Sequence, residues 1–440
     1  MRKDVVSILK TQRSKSLLIR GGRVVDPAQK LDANYDLLLR DGKVAEIAPA
    51  GKIRGGADKT FDARGLIVAP GFIDLHVHLR EPGQSHKETI AAGTAAAAAG
   101  GFTSICAMPN TSPVNDSVDI TQWMQAEERG AVVNVFPIAA ATVGSLGQQL
   151  TDFKALKRAG AVAVTDDGRP ILDDAIMREA LQSGAVLGMP VIQHAEDTRQ
   201  TQGCVMNAGA AAVRLGLRGM PAEAEANVVE RDIRLAAQTK AHLHVAHIST
   251  LAALKAVRRG KRERVRVTCE ITPHHFVLTD EDIGDYNTHA KMNPPLRSHA
   301  DREAMLAALA DGGIDCIATD HAPHAAHEKN VEFDRAPFGI TGLETALGLT
   351  ITKLHLENKI PLTRIIELLS TNPAKLIGLS GRGSLAKGSV ADVTILDPKR
   401  RWAFEASKSL SKSKNTPFDG WQLTGKVVAT IVGGEIQYQA

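Results

Sequence analysis

Cysteine is scarce in this sequence, and its placement excludes thiol-based metal and redox motifs. The four cysteines, Cys106, Cys204, Cys269 and Cys316, form no C-x-x-C pair. Three of them lie in apolar, strand-like runs, where a thiol behaves as a small hydrophobe. This usage favours a reducing compartment without disulfides.

Long apolar runs and a strong charge bias are also missing. No apolar run approaches the length of a membrane span, and the polar residues 1–16 hold too short an apolar patch for a signal peptide. The net charge is only +4, and the short basic clusters carry no interleaved aromatic residues. We therefore expect a cytoplasmic protein that binds neither membranes nor nucleic acid.

The middle of the chain alternates strand-like runs with helical stretches. With 440 residues, 43% of them hydrophobic, the chain can bury a large core. Eight βα units in sequence predict an α/β fold, a parallel sheet closed as a (β/α)8 TIM barrel over residues 70–374. A doubly wound open sheet is the alternative, but no Gly-x-Gly-x-x-Gly follows an early strand. The predicted strands are Gly71–Leu79, Thr103–Asn110, Asn134–Thr142, Gly160–Gly168, Pro190–Asp197, His242–Ser249, Arg266–His275 and Asp315–His324.

Short β segments with turn signals occupy both ends of the chain, at residues 16–69 and 375–440. Turns are predicted at Gly21-Gly22, Asp41-Gly42, Pro398 and Gly433-Gly434. Because chain termini often lie close together, we expect the two regions to pair into one small composite β-sandwich domain. Residues 1–15 are predicted to be an N-terminal extension.

The first barrel strand carries a His-x-His motif. In a strand, His76 and His78 point to the same face, as two ligands of one metal ion require, and Arg80 continues the alternation. Taken alone, such a motif is more often a pair of satisfied or exposed histidines than a metal site.

Further histidines and aspartates fall at the ends of other predicted strands. The carboxyl ends of all barrel strands converge on one face, so these side chains are expected to meet there. The set suits zinc, is large enough for two ions that share a bridge, and predicts metal-assisted hydrolysis of an amide-like bond. His242 and His244 are expected to line the barrel instead, and His274 and His275 to pack around the site. The strand-end residues are the adjacent pair Asp166 and Asp167, which the pattern does not separate, with His194, His247 and Asp320.

Five separated motifs resemble those of the dihydroorotase family, in its bacterial type I form, within the amidohydrolase superfamily. The resemblance covers the chain from about residue 17 to its end, and the motifs occur in the family's order. They are the segments at residues 70–83, 108–111, 165–168, 291–297 and 318–324.

The resemblance implies a set of metal ligands and a catalytic residue. His76, His78 and Asp320 would bind one Zn2+, His194 and His247 a second, and Asp167 would bridge the two, where many relatives use a carboxylated lysine. Metal-bound hydroxide would attack the ring amide carbonyl, with Asp320 acting as general base and then as general acid.

The resemblance also implies the substrate and the residues that bind it. The family reaction is the reversible cyclisation of N-carbamoyl-L-aspartate to (S)-dihydroorotate and water, in de novo pyrimidine (UMP) biosynthesis. A homodimer is expected, and an association with aspartate carbamoyltransferase is left open. The expected substrate contacts are His78, Arg80, Asn110, Asn293, His324, Phe338 and Gly339.

Two alternative interpretations of the function remain. A sister cyclic amidase, such as an allantoinase or a dihydropyrimidinase, would share the barrel and the metals but would need no cation for a ring carboxylate. An inactive dihydroorotase-like scaffold subunit of aspartate carbamoyltransferase would be expected to lose metal ligands, whereas this chain keeps the whole set.

Overall fold

The first five strands form part of a sheet that also contains the last strands of the chain, here called the terminal sheet. The computed structural model describes residues 16–440, so the predicted extension at 1–15 lies outside the described residues. The Asp41-Gly42 turn is confirmed, with positive φ at both residues as a tight hairpin requires. The turn predicted at Gly21-Gly22 is wrong, because this pair forms a bulge inside a single strand, where the register shifts between Ile19 and Gly22. The strands are β1 (Ser16–Asp26), β2 (Leu31–Arg40), β3 (Lys43–Pro49), β4 (Lys59–Asp62) and β5 (Ile67–Pro70).

Eight parallel strands form the predicted barrel, although each is shorter than its apolar run. Their order is β6-β7-β8-β9-β10-β13-β14-β15. The ring closes beyond β15, where the His78 N–H donates to the His321 carbonyl at 2.9 Å. Strands β11 and β12 form a separate pair. The strands are β6 (Phe72–Val77), β7 (Phe102–Ala107), β8 (Asn134–Ala139), β9 (Ala163–Val164), β10 (Val191–Gln193), β11 (Met206–Asn207), β12 (Gly219–Met220), β13 (Leu243–Val245), β14 (Val267–Ile271) and β15 (Cys316–Ile317).

Helices cover the outside of the barrel. Several begin at a side chain that accepts backbone N–H groups, among them Thr89, Asp173 and Thr250. Within residues 16–440, no helix combines the length and the apolar character that crossing a bilayer requires. The helices are α1 (Ile90–Ala99), α2 (Val118–Gln125), α3 (Phe153–Ala159), α4 (Asp174–Leu187), α5 (Thr198–Thr201), α6 (Ala210–Leu215), α7 (Glu223–Thr239), α8 (Leu251–Arg262), α9 (Pro273–Val277), α10 (His299–Asp311), α11 (Ala326–Lys329), α12 (Ala346–Thr350), α13 (Leu362–Ile366) and α14 (Asn372–Leu376), with π-helical segments at Ile351–Glu357 and Glu367–Thr371.

The C-terminal strands complete the terminal sheet. They are β16 (Val393–Ala403), β17 (Gln422–Val432) and β18 (Glu435–Gln439), and the sheet order is β18-β17-β16-β5-β1-β2-β3, with β4 paired to β1. Both ends of the chain therefore share one sheet, as predicted. The turn predicted at Pro398 is wrong: this proline lies within β16, where the register shifts between Asp397 and Arg401 and proline's missing N–H is tolerated.

The terminal sheet is joined directly to the first barrel strand. The Gly71 N–H donates to the Asp392 carbonyl at 2.9 Å, and the Thr394 hydroxyl donates to the Gly101 carbonyl at 2.6 Å. A Cβ at Gly71 would lie 2.1 Å from the Thr103 hydroxyl, so only glycine fits this junction. These contacts fix the start of β6, the strand that carries His76. The domain boundaries at 69/70 and 374/375 stay a prediction.

Candidate active site

The six side chains expected to bind metal come together at the carboxyl end of the barrel. All six are at least 94% buried. Because the strands are short, most of these residues lie just beyond a strand end, in the first turn of the following loop. His76 lies in β6, and the others follow β6, β9, β10, β13 and β15: His78, Asp167, His194, His247 and Asp320.

Asp167 occupies the centre of this group. Its Oδ1 lies 3.5 Å from His76 Nε2, 3.7 Å from His194 Nδ1 and 3.9 Å from His247 Nε2. Its Oδ2 lies 3.6 Å from His78 Nε2. Distances of this length are too long for hydrogen bonds, but they leave room for cations between the oxygen and nitrogen atoms.

The adjacent Asp166 points away from this centre. Its carboxylate accepts the Thr142 N–H at 2.9 Å and also the Thr142 hydroxyl. Neighbouring residues of an extended segment face opposite sides, so only one aspartate of the pair can join the histidines. The structure places Asp167 there.

The donor atoms fit a metal centre. Among the described residues, four sets of ligand atoms each lie within 4.8 Å of one another, and three of the four are drawn from these six side chains. His76 Nε2 is buried and has no hydrogen-bond partner in the described structure, although two carboxylates lie near it. A buried nitrogen without a partner is costly unless an ion completes its environment. The three sets are His76–His78–Asp167, His76–His247–Asp320 and Asp167–His194–His247.

The imidazoles keep both carboxylates ionised. Burial alone would raise the pKa of Asp167, but the charges of the surrounding imidazoles, that of His76 first, hold this pKa well below its ordinary value. Asp320 behaves in the same way, with His76 and His78 lowering its pKa against the effect of burial. Both aspartates are therefore in the form that binds a cation.

Three of the four histidines have their second ring nitrogen held by an outer group. His76 Nδ1 lies 2.8 Å from Glu270 Oε1, and His78 Nδ1 lies 2.8 Å from Asn110 Oδ1. His194 Nε2 lies 3.0 Å from a third outer group, Glu196 Oε2. Such partners fix which nitrogen faces a metal, and they direct His194 inwards through Nδ1.

Glu196 and Glu270 are functional candidates that belong to none of the metal or substrate residues predicted from the sequence. Glu196 lies two residues after His194 in the same loop, and this short spacing is the feature of the sequence that could have indicated their contact. Glu270 lies in the buried strand β14, where an unexplained charge in an apolar run is the signal. Its partner His76 is 194 positions away in the sequence, so only the folded barrel reveals the contact.

His274 and His275, also predicted not to bind metal, belong to none of the clustered sets of ligand atoms among the described residues. His274 and His275 lie in α9 beyond the strand predicted to contain them, because β14 ends at Ile271. His275 contacts the Thr272 hydroxyl and the Pro294 carbonyl, at 2.7 and 2.9 Å. These contacts are structural.

A cavity of about 330 Å³ opens beside the six side chains. Its wall includes most of the expected substrate contacts: His78, Arg80, Asn110, Asn293, His324 and Phe338. Gly339 is not part of the wall, and its N–H donates to the Lys291 carbonyl at 3.0 Å. The size is that of a site for a small molecule.

Arg80 is the cation of this cavity. It is 9% exposed, and its Nε donates to the Pro323 carbonyl at 3.1 Å. Burial lowers the pKa of Arg80 to about 10, so the guanidinium stays charged at neutral pH. Glu81 is engaged elsewhere, accepting the Ser85 hydroxyl and the Ile90 N–H. Arg80 is thus held in place by a neutral group, with its charge directed at the cavity.

His324 stands beside Arg80 as a neutral group. Burial and the nearby charges of Arg80 and Lys87 lower the pKa of His324 to about 2. Its Nε2 donates to the Phe338 carbonyl at 2.9 Å, which ties the loop after α11 to the cavity wall.

The family model and the most similar curated proteins that we compared all indicate the same family. Residues 65–253 match the model of a family described as dihydro-orotase-like. A dihydroorotase from Citrifermentans bemidjiense is 51% identical over 426 residues, covering 97% of this chain and 100% of that protein. A dihydroorotase from Solibacter usitatus is 49% identical, covering 96% and 98%. Among solved structures, an L-hydantoinase (dihydropyrimidinase) from Arthrobacter aurescens is 27% identical, with a TM-score of 0.85 over 96% of this chain and 95% of that one.

Proposed function

The chain belongs to the dihydroorotase family, and on this premise we propose that it works with two zinc ions held by the six histidine and aspartate side chains. It is a hydrolase with the family's function, the reversible cyclisation of N-carbamoyl-L-aspartate to (S)-dihydroorotate and water in pyrimidine biosynthesis. The observation that carries the metal proposal is the position of Asp167, which has an oxygen within 3.9 Å of each of the four imidazoles.

Zinc is the ion that this donor set favours, because imidazole and carboxylate are its ordinary ligands. When bound, two such ions supply an acidified water and a Lewis acid for the amide carbonyl. Asp167 is assigned to both ions, His76, His78 and Asp320 to one, and His194 and His247 to the other.

Asp320 is the residue that we expect to move the proton. Its Oδ1 lies 2.9 Å from His78 Nε2 and 3.4 Å from His76 Nε2, at the inner wall of the cavity. In hydrolysis, Asp320 accepts the proton of the attacking water and delivers it to the ring nitrogen as the amide bond breaks. In cyclisation the same two transfers run in reverse.

Arg80 and Asn110 are proposed to bind the carboxylate that dihydroorotate carries off its ring, and His324, whose N–H is taken by the Phe338 carbonyl, is proposed to complete the wall of this pocket. The planar guanidinium suits a carboxylate, and the buried setting strengthens the pairing. Asn110 Nδ2 lies 3.2 Å from Asp167 Oδ2, which places the carboxylate site next to the metal site. His78 borders the substrate on the same side.

Asn293, Phe338 and Gly339 are proposed to contact the ring amide groups. Asn293 Nδ2 donates to Glu196 Oε2 at 2.8 Å, which leaves its carbonyl oxygen to accept a ring N–H. The carbonyls of Phe338 and Gly339 accept hydrogen bonds from His324 and Asn415, so this backbone segment beside the cavity is held in place before the substrate arrives.

The assembly of the protein stays a prediction. A homodimer and a cytoplasmic location are expected from the sequence, which leaves an association with aspartate carbamoyltransferase open.

The proposal is tested by measuring dihydroorotate hydrolysis and zinc content in the same samples. The wild type should hold two zinc ions per chain, lose activity to a chelator and regain it with zinc. Asp167→Asn should lower the zinc content, because its amide cannot serve two cations. Asp166→Asn is the matched control, since that side chain points away and an amide oxygen still serves Thr142.

Two outcomes would contradict the proposal. Equal zinc content in Asp167→Asn, Asp166→Asn and the wild type would remove Asp167 from the metal centre. A wild type with neither zinc nor activity would favour the scaffold reading.

A further inference from the structure

A line of buried and half-buried polar groups runs through the barrel beneath the metal site, and the proposed mechanism does not use it. His242 Nε2 lies 2.8 Å from the Thr268 hydroxyl, which lies 2.9 Å from His244 Nδ1. His244 Nε2 lies 3.1 Å from Glu270 Oε2, and the other oxygen of Glu270 lies 2.8 Å from His76 Nδ1. The line therefore ends on a proposed metal ligand.

One consistent assignment of donors and acceptors accounts for all four contacts of this line. A carboxylate only accepts, so Glu270 takes the N–H of His76 Nδ1 and of His244 Nε2. His244 Nδ1 is then a lone pair and accepts from the Thr268 hydroxyl. The Thr268 oxygen accepts in turn from His242 Nε2–H. Every contact within the line then has one donor and one acceptor, and at its outer end His242 Nδ1 has no hydrogen-bond partner among the described residues.

The direction of this line decides the state of His76. With a proton held on Nδ1 by Glu270, the neutral form of His76 that binds a metal presents its lone pair at Nε2. That nitrogen is one of the buried side-chain atoms without a hydrogen-bond partner in the described residues, and it lies 3.5 Å from Asp167 Oδ1 and 3.4 Å from Asp320 Oδ1. The opposite tautomer would set a lone pair against the Glu270 carboxylate.

We propose that Glu270 is a positioning residue that fixes His76 for metal binding, and that Thr268 and His244 hold Glu270 in the orientation this needs. The proposal rests on the proposed function insofar as His76 binds zinc. Loss of an outer carboxylate from a metal-ligating histidine typically weakens metal binding by about 10- to 100-fold.

Two substitutions at Glu270 separate positioning from packing. Glu270→Leu fills similar space but cannot accept from His76, so zinc binding should weaken by about 10- to 100-fold. Glu270→Gln keeps an acceptor for His76 and can donate to His244 if the line reverses its direction. It should therefore bind zinc about tenfold more tightly than Glu270→Leu.

Cys316 offers a matched control in the same part of the barrel interior. Its thiol lies within 4.8 Å of ligand atoms of His244 and Glu270, yet it takes no part in the line. Cys316→Ala should disturb the packing and leave zinc affinity unchanged. Thr268→Val is a gentler test of the line, because it removes only the hydroxyl that joins His242 to His244.

The experiment is a zinc titration of the metal-free full-length proteins against a competing chelator, with the unfolding midpoint of each metal-free variant measured alongside. The expected order of affinity is wild type and Cys316→Ala, then Glu270→Gln, then Glu270→Leu, with Thr268→Val at least about threefold below the wild type. Wild-type affinity in a folded Glu270→Leu would overturn the proposal. Should that variant not fold, wild-type affinity in Thr268→Val would overturn it. A wild type that takes up no zinc would overturn the metal centre itself, and this inference with it.

Discussion

Arg80 provides the sharpest test of how the cavity recognises its substrate. Replacing it with methionine keeps the length of the side chain but removes the charge and the planar pair of donors. The substitution also removes the hydrogen bond from Arg80 Nε to the Pro323 carbonyl, which costs only about 1 kcal/mol of folding stability. The fold should therefore survive, and the effect should fall on substrate binding.

The size of the effect follows from the burial of Arg80. Arg80 as a whole residue is 9% exposed, so a carboxylate bound to its guanidinium is largely shielded from water. Removing one partner of a buried, hydrogen-bonded charge pair costs about 2–5 kcal/mol. At about 1.4 kcal/mol for each factor of ten, kcat/KM for dihydroorotate should fall by about 30- to 5000-fold in Arg80→Met.

The assay compares dihydroorotate with dihydrouracil, the same ring without the carboxylate. Arg80→Met should lose activity on dihydroorotate and show no matching loss on dihydrouracil. Arg80→Lys should fall between wild type and Arg80→Met, because it keeps the charge but not the paired donors. Arg158→Met, on the exposed side of α3, is the control and should behave as wild type.

A clear result would refute this reasoning. If kcat/KM for dihydroorotate in Arg80→Met stays within about threefold of the wild type, Arg80 does not bind the ring carboxylate. An equal loss on both rings would show instead that the substitution disturbs the catalytic centre.

Three further predictions concern proton transfer, the last residue of α11 and a turn beside the site. Asp320→Asn should lower kcat by about 10²- to 10⁴-fold, because an amide cannot accept the proton; a zinc-loaded variant with kcat within tenfold of wild type would contradict the assignment. Burial and the charge of Lys291 lower the pKa of Lys329 to about 7 in the folded chain. Between pH 7 and 10 the unfolded chain therefore binds one more proton at this side chain than the folded chain does. The free energy of unfolding should for this reason rise with pH by up to about 1.4 kcal/mol per pH unit. Urea unfolding at pH 7, 8 and 9 should show a flatter pH dependence in Lys329→Met, and an unchanged slope would contradict the burial argument. Gly83→Ala should cost more than about 2 kcal/mol in the same assay, because φ is +91° and the new Cβ would lie 1.9 Å from the Ser112 carbonyl oxygen; Gly147→Ala, with positive φ but open space, should cost less.

Periodic features of the sequence predict most of the fold. Eight apolar runs separated by helical stretches are enough to indicate the barrel, since each run must be buried and each crossover is long enough for a parallel connection. The strands are shorter than the runs because the last residues of each run, such as His194 and Asp320, continue into loops that form the cavity wall.

Features that depend on a distant partner are not visible in the sequence. Gly21-Gly22 and Pro398 carry turn signals, yet both lie within strands, because pairing with β2 and β17 continues past them through bulges. Glu270 belongs to no motif, because its role depends on its contact with His76 across the barrel.

The position of Asp167 could be predicted only in part. The pattern Asp166-Asp167 at the end of a strand shows that one aspartate faces the barrel axis, and the family resemblance selects the second. The structure adds the physical reason, because Asp166 is held by Thr142 outside the ring of histidines.

The most direct test of the account is a crystal structure of the zinc-loaded protein, with anomalous difference maps collected at the zinc absorption edge. The account predicts two zinc peaks, both bound by Asp167, with imidazole nitrogens about 2.0–2.1 Å from the ions and His247 among them. An absence of zinc peaks among these side chains, or zinc bound without Asp167 or His247, would contradict it.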